Sequence, residues 1–286
     1  MGQTVLVIGS LGTVGLEVVR SLIAGGTRVR AATTRRDAVR SIFGDTVEPV
    51  LFDFQKPETF GPAFDGVERM FLMRPPHISN IKRDLYPALD AARAAGVRQV
   101  VFLSIIGIDQ NTVVPHYKVE TYLRGSGQDY TFLRCSFFMQ NFEAAHRDEI
   151  RDRDEIYLPV GKAKTSFIDA RDIGAVAALC LSGPGHERKA YDLTGAEALD
   201  YDEVAALFSA VLNRPIVYRN PAPLAFFLRQ LSLRKALMYA LVTTWLYSNT
   251  KNGMAATVSG EVARLLGRLP ISMLKYIEDN RAAWMS

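Results

Sequence analysis

Thr4-Val5-Leu6-Val7-Ile8-Gly9-Ser10-Leu11-Gly12-Thr13-Val14-Gly15 is the stretch on which the reading of this chain turns. An apolar run ends at Gly9, two more glycines follow at three-residue intervals, and an amphipathic run fills 16–24. That order reads as a buried parallel strand, a tight glycine turn and a helix. With no side chains at Gly9 and Gly12, the backbone can lie against a pyrophosphate. The helix begins at the turn, so the unpaired N–H groups of Thr13 and Val14 and the positive end of the dipole face the phosphates. Gly15 lets the helix pack tightly on its strand. The spacing is G-x-x-G-x-x-G, not the usual G-x-G-x-x-G, so the neighbouring elements must decide between dinucleotide binding and a merely structural turn.

Those neighbours alternate. Apolar strands are expected at 5–9, 28–33, 48–52, 69–73, 100–104 and 130–133, with helical periodicity at 14–24, 37–43, 57–64, 81–95 and 118–125. The alternation predicts an α/β protein: a Rossmann-type doubly wound parallel sheet with right-handed crossovers. The later chain is less regular. A charge-dense stretch at 148–155 reads as a solvated loop or helix end, and 166–173 as a short strand running into a helix. Further strands are expected at 190–193 and 216–218, and helices at 202–212, 221–247, 258–266 and 272–284. The expected division is a dinucleotide-binding domain over 1–155 and a smaller, mostly helical substrate lobe over 156–286, with the chain crossing between them and a cleft between the lobes.

The bulk properties narrow the function. With 286 residues, 48% hydrophobic and 22% charged, the chain can bury a sizeable core. Its net charge of +4 suits an anionic cofactor, but no Lys/Arg block argues for nucleic acid. The first apolar run contains the glycine motif and lacks a basic start, which argues against a signal peptide. The two cysteines, Cys135 and Cys180, lack metal-type spacing. Together these features predict a cytoplasmic protein without a metal centre. The apolar region 224–247 is interrupted by Arg229, Arg234 and Lys235, leaving too short a clean run to span a bilayer. Any membrane contact would be peripheral. A pocket lid, a homodimer interface and a partner-binding helix all fit this region.

In doubly wound sheets the ligand lies at the carboxyl ends of the strands, so residues just after each strand are the candidates. After the second strand comes Thr33-Thr34-Arg35-Arg36. NAD-selective proteins usually place Asp or Glu here for the ribose 2′-hydroxyl. An arginine can fork onto a 2′-phosphate that a carboxylate would repel. Arg35, with Thr34 and Arg36, is therefore the candidate NADP determinant; the alternative is a solvated basic helix start. After the third strand, Asp53 and Phe54 could bracket the adenine, or Asp53 could be a turn residue. After the fourth, Met73-Arg74-Pro75-Pro76-His77 forms a stiff loop that would run toward the nicotinamide. The fifth strand ends at Ser104, where nicotinamide chemistry would occur. The aromatic-rich segment 137–142 contributes Phe137, Phe138 and Asn141 as substrate-pocket candidates.

These motifs together resemble the NmrA-like, atypical short-chain dehydrogenase/reductase family. The matching residues are Gly9-x-x-Gly12-x-x-Gly15, Thr34-Arg35, Asp53-Phe54, Phe102-Leu103-Ser104-x-x-Gly107, His116-x-x-x-Glu120 and Tyr130-Thr131-x-Leu133-Arg134. Phe138-Met139-x-Asn141, Phe167-Ile168-Asp169-x-Arg171-Asp172-Ile173 and Leu266-Gly267-Arg268-x-Pro270 complete the set, which covers nearly the whole chain. Within the family the chain is most similar to the NAD(P)H:quinone oxidoreductase and azoreductase-like branch. The resemblance implies a Rossmann domain with a small C-terminal substrate lobe, and NADP(H) as cofactor. It places Gly9, Leu11, Gly12, Thr13, Val14, Thr34, Arg35, Asp53, Phe54, Met73, Arg74, Pro75, Ser104 and His116 around that cofactor.

One departure constrains the chemistry. Typical short-chain dehydrogenases carry a Tyr-x-x-x-Lys pair. Counting back from Glu120 puts His116 at the lysine position and Thr112 at the tyrosine position. Tyr117 and Lys118 are adjacent and do not share a helix face. Alcohol–ketone redox needs a tuned proton donor, typically worth roughly a hundred- to ten-thousand-fold. A quinone needs it less, because its first product is a phenolate-type anion comparable to ionised tyrosine, pKa ~10. The expectation is an NADPH-dependent oxidoreductase acting on a small quinone-like or other flat apolar acceptor. Its catalytic candidates are His116 and Ser104, and Pro75, Phe137, Phe138 and Asn141 are expected near the substrate. His116 would carry the proton or hold the ribose. The alternative is a catalytically inactive NADP(H)-binding sensor that acts through a protein partner.

Overall fold

The computed structural model describes residues 4–250 and 255–285. The chain forms two compact units, one from Met1–Cys135 and Ala170–Leu193, the other from Ser136–Asp169 and Thr194–Ser286. Strands are labelled in chain order: β1 (Thr4–Ile8), β2 (Arg28–Thr33), β3 (Val47–Leu51), β4 (Val67–Leu72), β5 (Gln99–Ile105), β6 (Asp129–Cys135), β7 (Glu155–Tyr157), β8 (Lys189–Leu193) and β9 (Val217–Arg219).

The first unit is a seven-stranded sheet in the order β3-β2-β1-β4-β5-β6-β8. Every pairing in it is parallel. β1 is buried along its whole length, as an apolar run must be when helices cover both faces of a parallel sheet. The strand order reverses beside β1: the chain runs outward through β2 and β3, returns to β4 and continues the other way. This is the topological switch point at which such sheets bind ligands. One core of the unit joins Leu6, Ile8, Met70, Leu72, Val100 and Phe102 to the helices Tyr86–Ala94 and Pro115–Gly125.

Helix Thr13–Ala24 packs against helix Ala170–Ser182 at very close range. A Cβ on Gly174 would lie 2.6 Å from the Glu17 carbonyl carbon, so only glycine permits this approach.

The second unit has a two-stranded parallel sheet of β7 and β9 and is otherwise mainly helical. Its core gathers Phe142, Phe167, Tyr201, Phe208, Phe226, Tyr276 and Trp284. Helix Leu237–Thr250 buries Ala240 and Tyr247 but exposes Leu237, Met238, Leu241, Val242, Trp245 and Leu246. Among the described residues, no helix is long and apolar enough to cross a membrane.

Candidate functional site

The glycine turn is built as its sequence requires. Gly9 has φ 81°, a conformation that glycine adopts without strain. The Gly12 N–H donates to the Gly9 carbonyl at 2.9 Å, closing the turn. Buried Ser10 ties the turn to the neighbouring strand, its hydroxyl donating to the Ala32 carbonyl at 3.2 Å. A Cβ on Gly15 would fall 2.0 Å from the Gly9 carbonyl oxygen, so the third glycine lets the helix press onto the turn. Helix Thr13–Ala24 begins with no side-chain cap and no acidic residue in its first turn. Its first N–H groups and dipole are left for an anion. Leu11 and Gly12 are half-buried and Thr13 is exposed, while Val14 faces the core.

At the end of β2, Thr34 and Arg35 are exposed. Arg35 bounds helix Arg36–Phe43, and its N–H donates to Thr33 Oγ1 at 2.9 Å. After β3, Asp53 is half-buried and its Oδ1 accepts the Gln55 N–H at 2.9 Å, an Asx turn. Phe54 is buried and packs edge-on against Phe52, with ring centroids 4.9 Å apart.

The loop after β4 curls around Arg74. Its Nη1 donates to the carbonyls of Pro75, Pro76 and Ile78 at 3.0, 3.3 and 2.8 Å. Its Nε is buried and unpartnered. Met73 arches over the glycine turn: its Cε would meet a Cβ on Gly9 at 2.5 Å and one on Gly12 at 3.1 Å. Pro75 is half-buried and His77 exposed.

His116 occupies the first turn of helix Pro115–Gly125 and is half-buried. Its ring lies 5.9 Å from that of Phe102 on β5. Burial, with the Arg74 guanidinium, lowers its pKa to about 4. The imidazole is therefore neutral at physiological pH. Thr112 lies in the turn ahead of this helix.

Ser104 is buried, and its hydroxyl donates to Glu120 Oε1 at 2.6 Å. Arg134 Nη2 reaches Glu120 Oε2 at 2.7 Å, and Arg134 forks onto Asp109 at 2.6 and 2.9 Å. Three motif residues, Ser104, Glu120 and Arg134, thus form one network that ties the ends of β5 and β6 to helix Pro115–Gly125.

In the second unit, Phe137 and Asn141 line a recess with Phe142, His146, Leu158, Phe167, Tyr201 and Tyr247. It is small, with room for about one water-sized group. Phe138 instead makes a backbone bridge to Ile168. Two polar groups of this recess escaped the sequence reading. His146 Nε2 lies 3.0 Å from the Tyr247 hydroxyl, and its Nδ1 lies 3.2 Å from Glu149 Oε2. They come from positions 146 and 247, and no local spacing links them. Among the described residues, no His/Cys/Asp/Glu cluster could hold a metal ion.

An open parallel sheet with a glycine turn at its switch point defines a Rossmann-type dinucleotide-binding protein. The chain belongs to the NmrA-like family, whose model it matches over residues 1–261. It is 36% identical over 220 residues to an NAD(P)H azoreductase of Xenophilus azovorans, covering 75% of this chain and 76% of the relative. Solved structures of the same fold include two reductases. The NADPH-dependent quinone oxidoreductase of Escherichia coli, complexed with NADPH, superposes with a TM-score of 0.88 at 21% identity, covering 96% of this chain and 99% of that one. The Citrobacter triphenylmethane reductase complexed with NADP(H) gives 0.84 at 24% identity, with the same coverage.

Proposed function

We propose that this NmrA-like protein is an NADPH-dependent reductase of small, flat, apolar acceptors, with quinones the leading class. The observation that carries the reading is the uncapped N-terminus of helix Thr13–Ala24 at a glycine turn, which suits a diphosphate once Met73 shifts. The buried, unpartnered Nε of Arg74 is a second polar group that suits an anionic cofactor. Arg35 follows β2 with no intervening carboxylate, which suits a 2′-phosphate. NADP(H)-bound neighbours and the azoreductase relative support the same cofactor.

When bound, NADPH supplies the hydride. The residues of this chain bind and orient. Gly9, Leu11, Gly12, Thr13 and Val14 would receive the diphosphate, with Met73 moving aside on its flexible stem. Thr34 and Arg35 would hold the 2′-phosphate. Asp53, Phe54, Arg74 and Pro75 would border the remainder, Phe54 only through the edge that its packing leaves free. His116, neutral above about pH 4, would hydrogen-bond the nicotinamide ribose rather than store a proton. Ser104, already donating to Glu120, would meet a ligand as an acceptor. Phe137, Phe138 and Asn141 would receive the acceptor.

The test is NADPH oxidation by the purified protein over a panel of small quinones, with NADH as the control. Quinone-dependent turnover that prefers NADPH supports the reading. Tight NADPH binding without turnover on any acceptor would replace it with a redox sensor acting through a protein partner.

A further inference from the structure

We infer that helices Pro223–Ser232 and Leu237–Thr250 dock the chain onto the surface of an anionic phospholipid bilayer, their exposed apolar side chains in the headgroup layer and Arg234 and Lys235 on lipid phosphates. This goes beyond the reductase reading and depends on neither cofactor nor acceptor.

Helix Leu237–Thr250 carries two apolar faces. The inner one holds Ala240 and Tyr247, seven residues apart and buried. There Tyr247 meets Phe226 of helix Pro223–Ser232, with ring centroids 5.9 Å apart. The outer one holds Met238, Leu241, Val242 and Trp245, which recur at i, i+3, i+4 and i+7, the spacing of a face that packs. Yet this face meets solvent: Met238 is 67%, Val242 53% and Trp245 57% exposed. Leu224 and Leu228, one turn apart on the adjoining helix, are exposed as well. Single exposed leucines are ordinary. Large apolar side chains at helical spacing on two helices that pack together mark a surface that takes a partner.

Charge selects that partner. From 204 to 260 the sequence contains no Asp or Glu. Within this stretch Arg214, Arg219 and Arg229 are matched by Asp154, Glu155 and Glu149, all from outside it. Arg234 and Lys235, between the two helices, are exposed and pair with no carboxylate among the described residues. A second copy of the chain on this face would bring both cations against a stretch without a carboxylate to meet them. Lipid phosphates meet them directly. Lys235 also lies over the Tyr239 ring, 5.9 Å from its centroid, and Tyr and Trp are the side chains that favour headgroup depth. No described helix can span a bilayer, so the helices lie in the plane of the interface.

The experiment is cosedimentation of the full chain with vesicles of phosphatidylglycerol or of phosphatidylcholine. Wild type should bind the anionic vesicles at least about tenfold more tightly. Of the two tryptophans, Trp284 is buried. Binding should therefore shift the emission of Trp245 to the blue, and Trp245→Phe should abolish the shift. Arg234 has φ 57°, so its replacement should be Asn, which accepts that backbone. Arg234→Asn with Lys235→Gln should weaken binding to phosphatidylglycerol about tenfold and leave phosphatidylcholine unchanged. Met238→Ser with Val242→Ser alters exposed positions only and should weaken binding to phosphatidylglycerol about tenfold. Equal affinity of wild type for the two vesicles, or binding to neither, would overturn the inference. So would wild-type binding to phosphatidylglycerol by Met238→Ser/Val242→Ser. Sedimentation velocity tests the other occupant: a wild-type dimer that the same double substitution turns into a monomer would give this face to a second copy and take it from the lipid.

Discussion

Burial and the Arg74 guanidinium keep the His116 imidazole neutral down to about pH 4. In the unfolded chain a histidine takes its proton near ~6.5. Between these values the unfolded state binds the proton and the folded state does not. The contribution of His116 to stability is therefore complete above the unfolded value and is lost as pH falls toward 4. Urea titrations at neutral pH and near the lower limit should show wild type losing more stability on acidification than His116→Gln. Carboxylates titrating in that window are common to both proteins and cancel in the difference. Parallel losses would mean that the folded state protonates His116 freely. Arg35 allows a second residue-level prediction. A charge-assisted contact to a phosphate is worth roughly 1.5–3 kcal/mol. Arg35→Ala should therefore weaken NADPH about 10- to 100-fold and leave NADH nearly unchanged, as read by cofactor fluorescence. Equal losses for the two cofactors would take Arg35 out of the 2′-phosphate site.

Elements explain why some of this was legible in the chain and some was not. Six strands of the large sheet announce themselves as apolar runs because a sheet covered on both faces needs nothing else. β7 (Glu155–Tyr157) lies at the end of the charge-dense stretch that reads as a solvated loop; it is a strand because β9 pairs with it from about sixty residues away. The single helix expected at 81–95 is two, Ile81–Asp84 and Tyr86–Ala94, because Pro87 has no N–H to continue the first ladder. The apolar run 221–247 likewise breaks into Pro223–Ser232 and Leu237–Thr250, with Arg234 at φ 57° between them. Periodicity sees apolar faces but not backbone breaks. In the candidate site, the glycine turn was readable because its spacing is local. His146 and Tyr247 were not, since only packing joins them. Gly15 is the element-scale test. Its Cβ would strike backbone, the Gly9 carbonyl oxygen at 2.0 Å, so no side chain can yield. Gly15→Ala should cost about 1–3 kcal/mol in denaturant unfolding and abolish NADPH binding by displacing the turn. Retained binding at wild-type affinity would show that the turn does not hold the diphosphate.

For the molecule as a whole, cofactor binding and unfolding are linked. A ligand that binds only the folded chain at a hundred times its Kd adds about 2.7 kcal/mol. Thermal scans should therefore show NADPH raising Tm more than the same concentration of NADH. Each unit has its own hydrophobic cluster, one containing Leu6 and Phe102, the other Phe142 and Tyr247. That separation sharpens the prediction. Arg35→Ala alters the first unit, so it should reduce the NADPH-induced shift to the size of the NADH shift. Tyr247→Phe alters the second, so it should lower the starting Tm slightly and leave the NADPH-induced shift intact. If Tyr247→Phe erased that shift instead, cofactor binding would depend on the second unit as well. If NADPH moved the Tm of no variant, wild type included, Gly9, Gly12 and Gly15 would be serving helix packing alone.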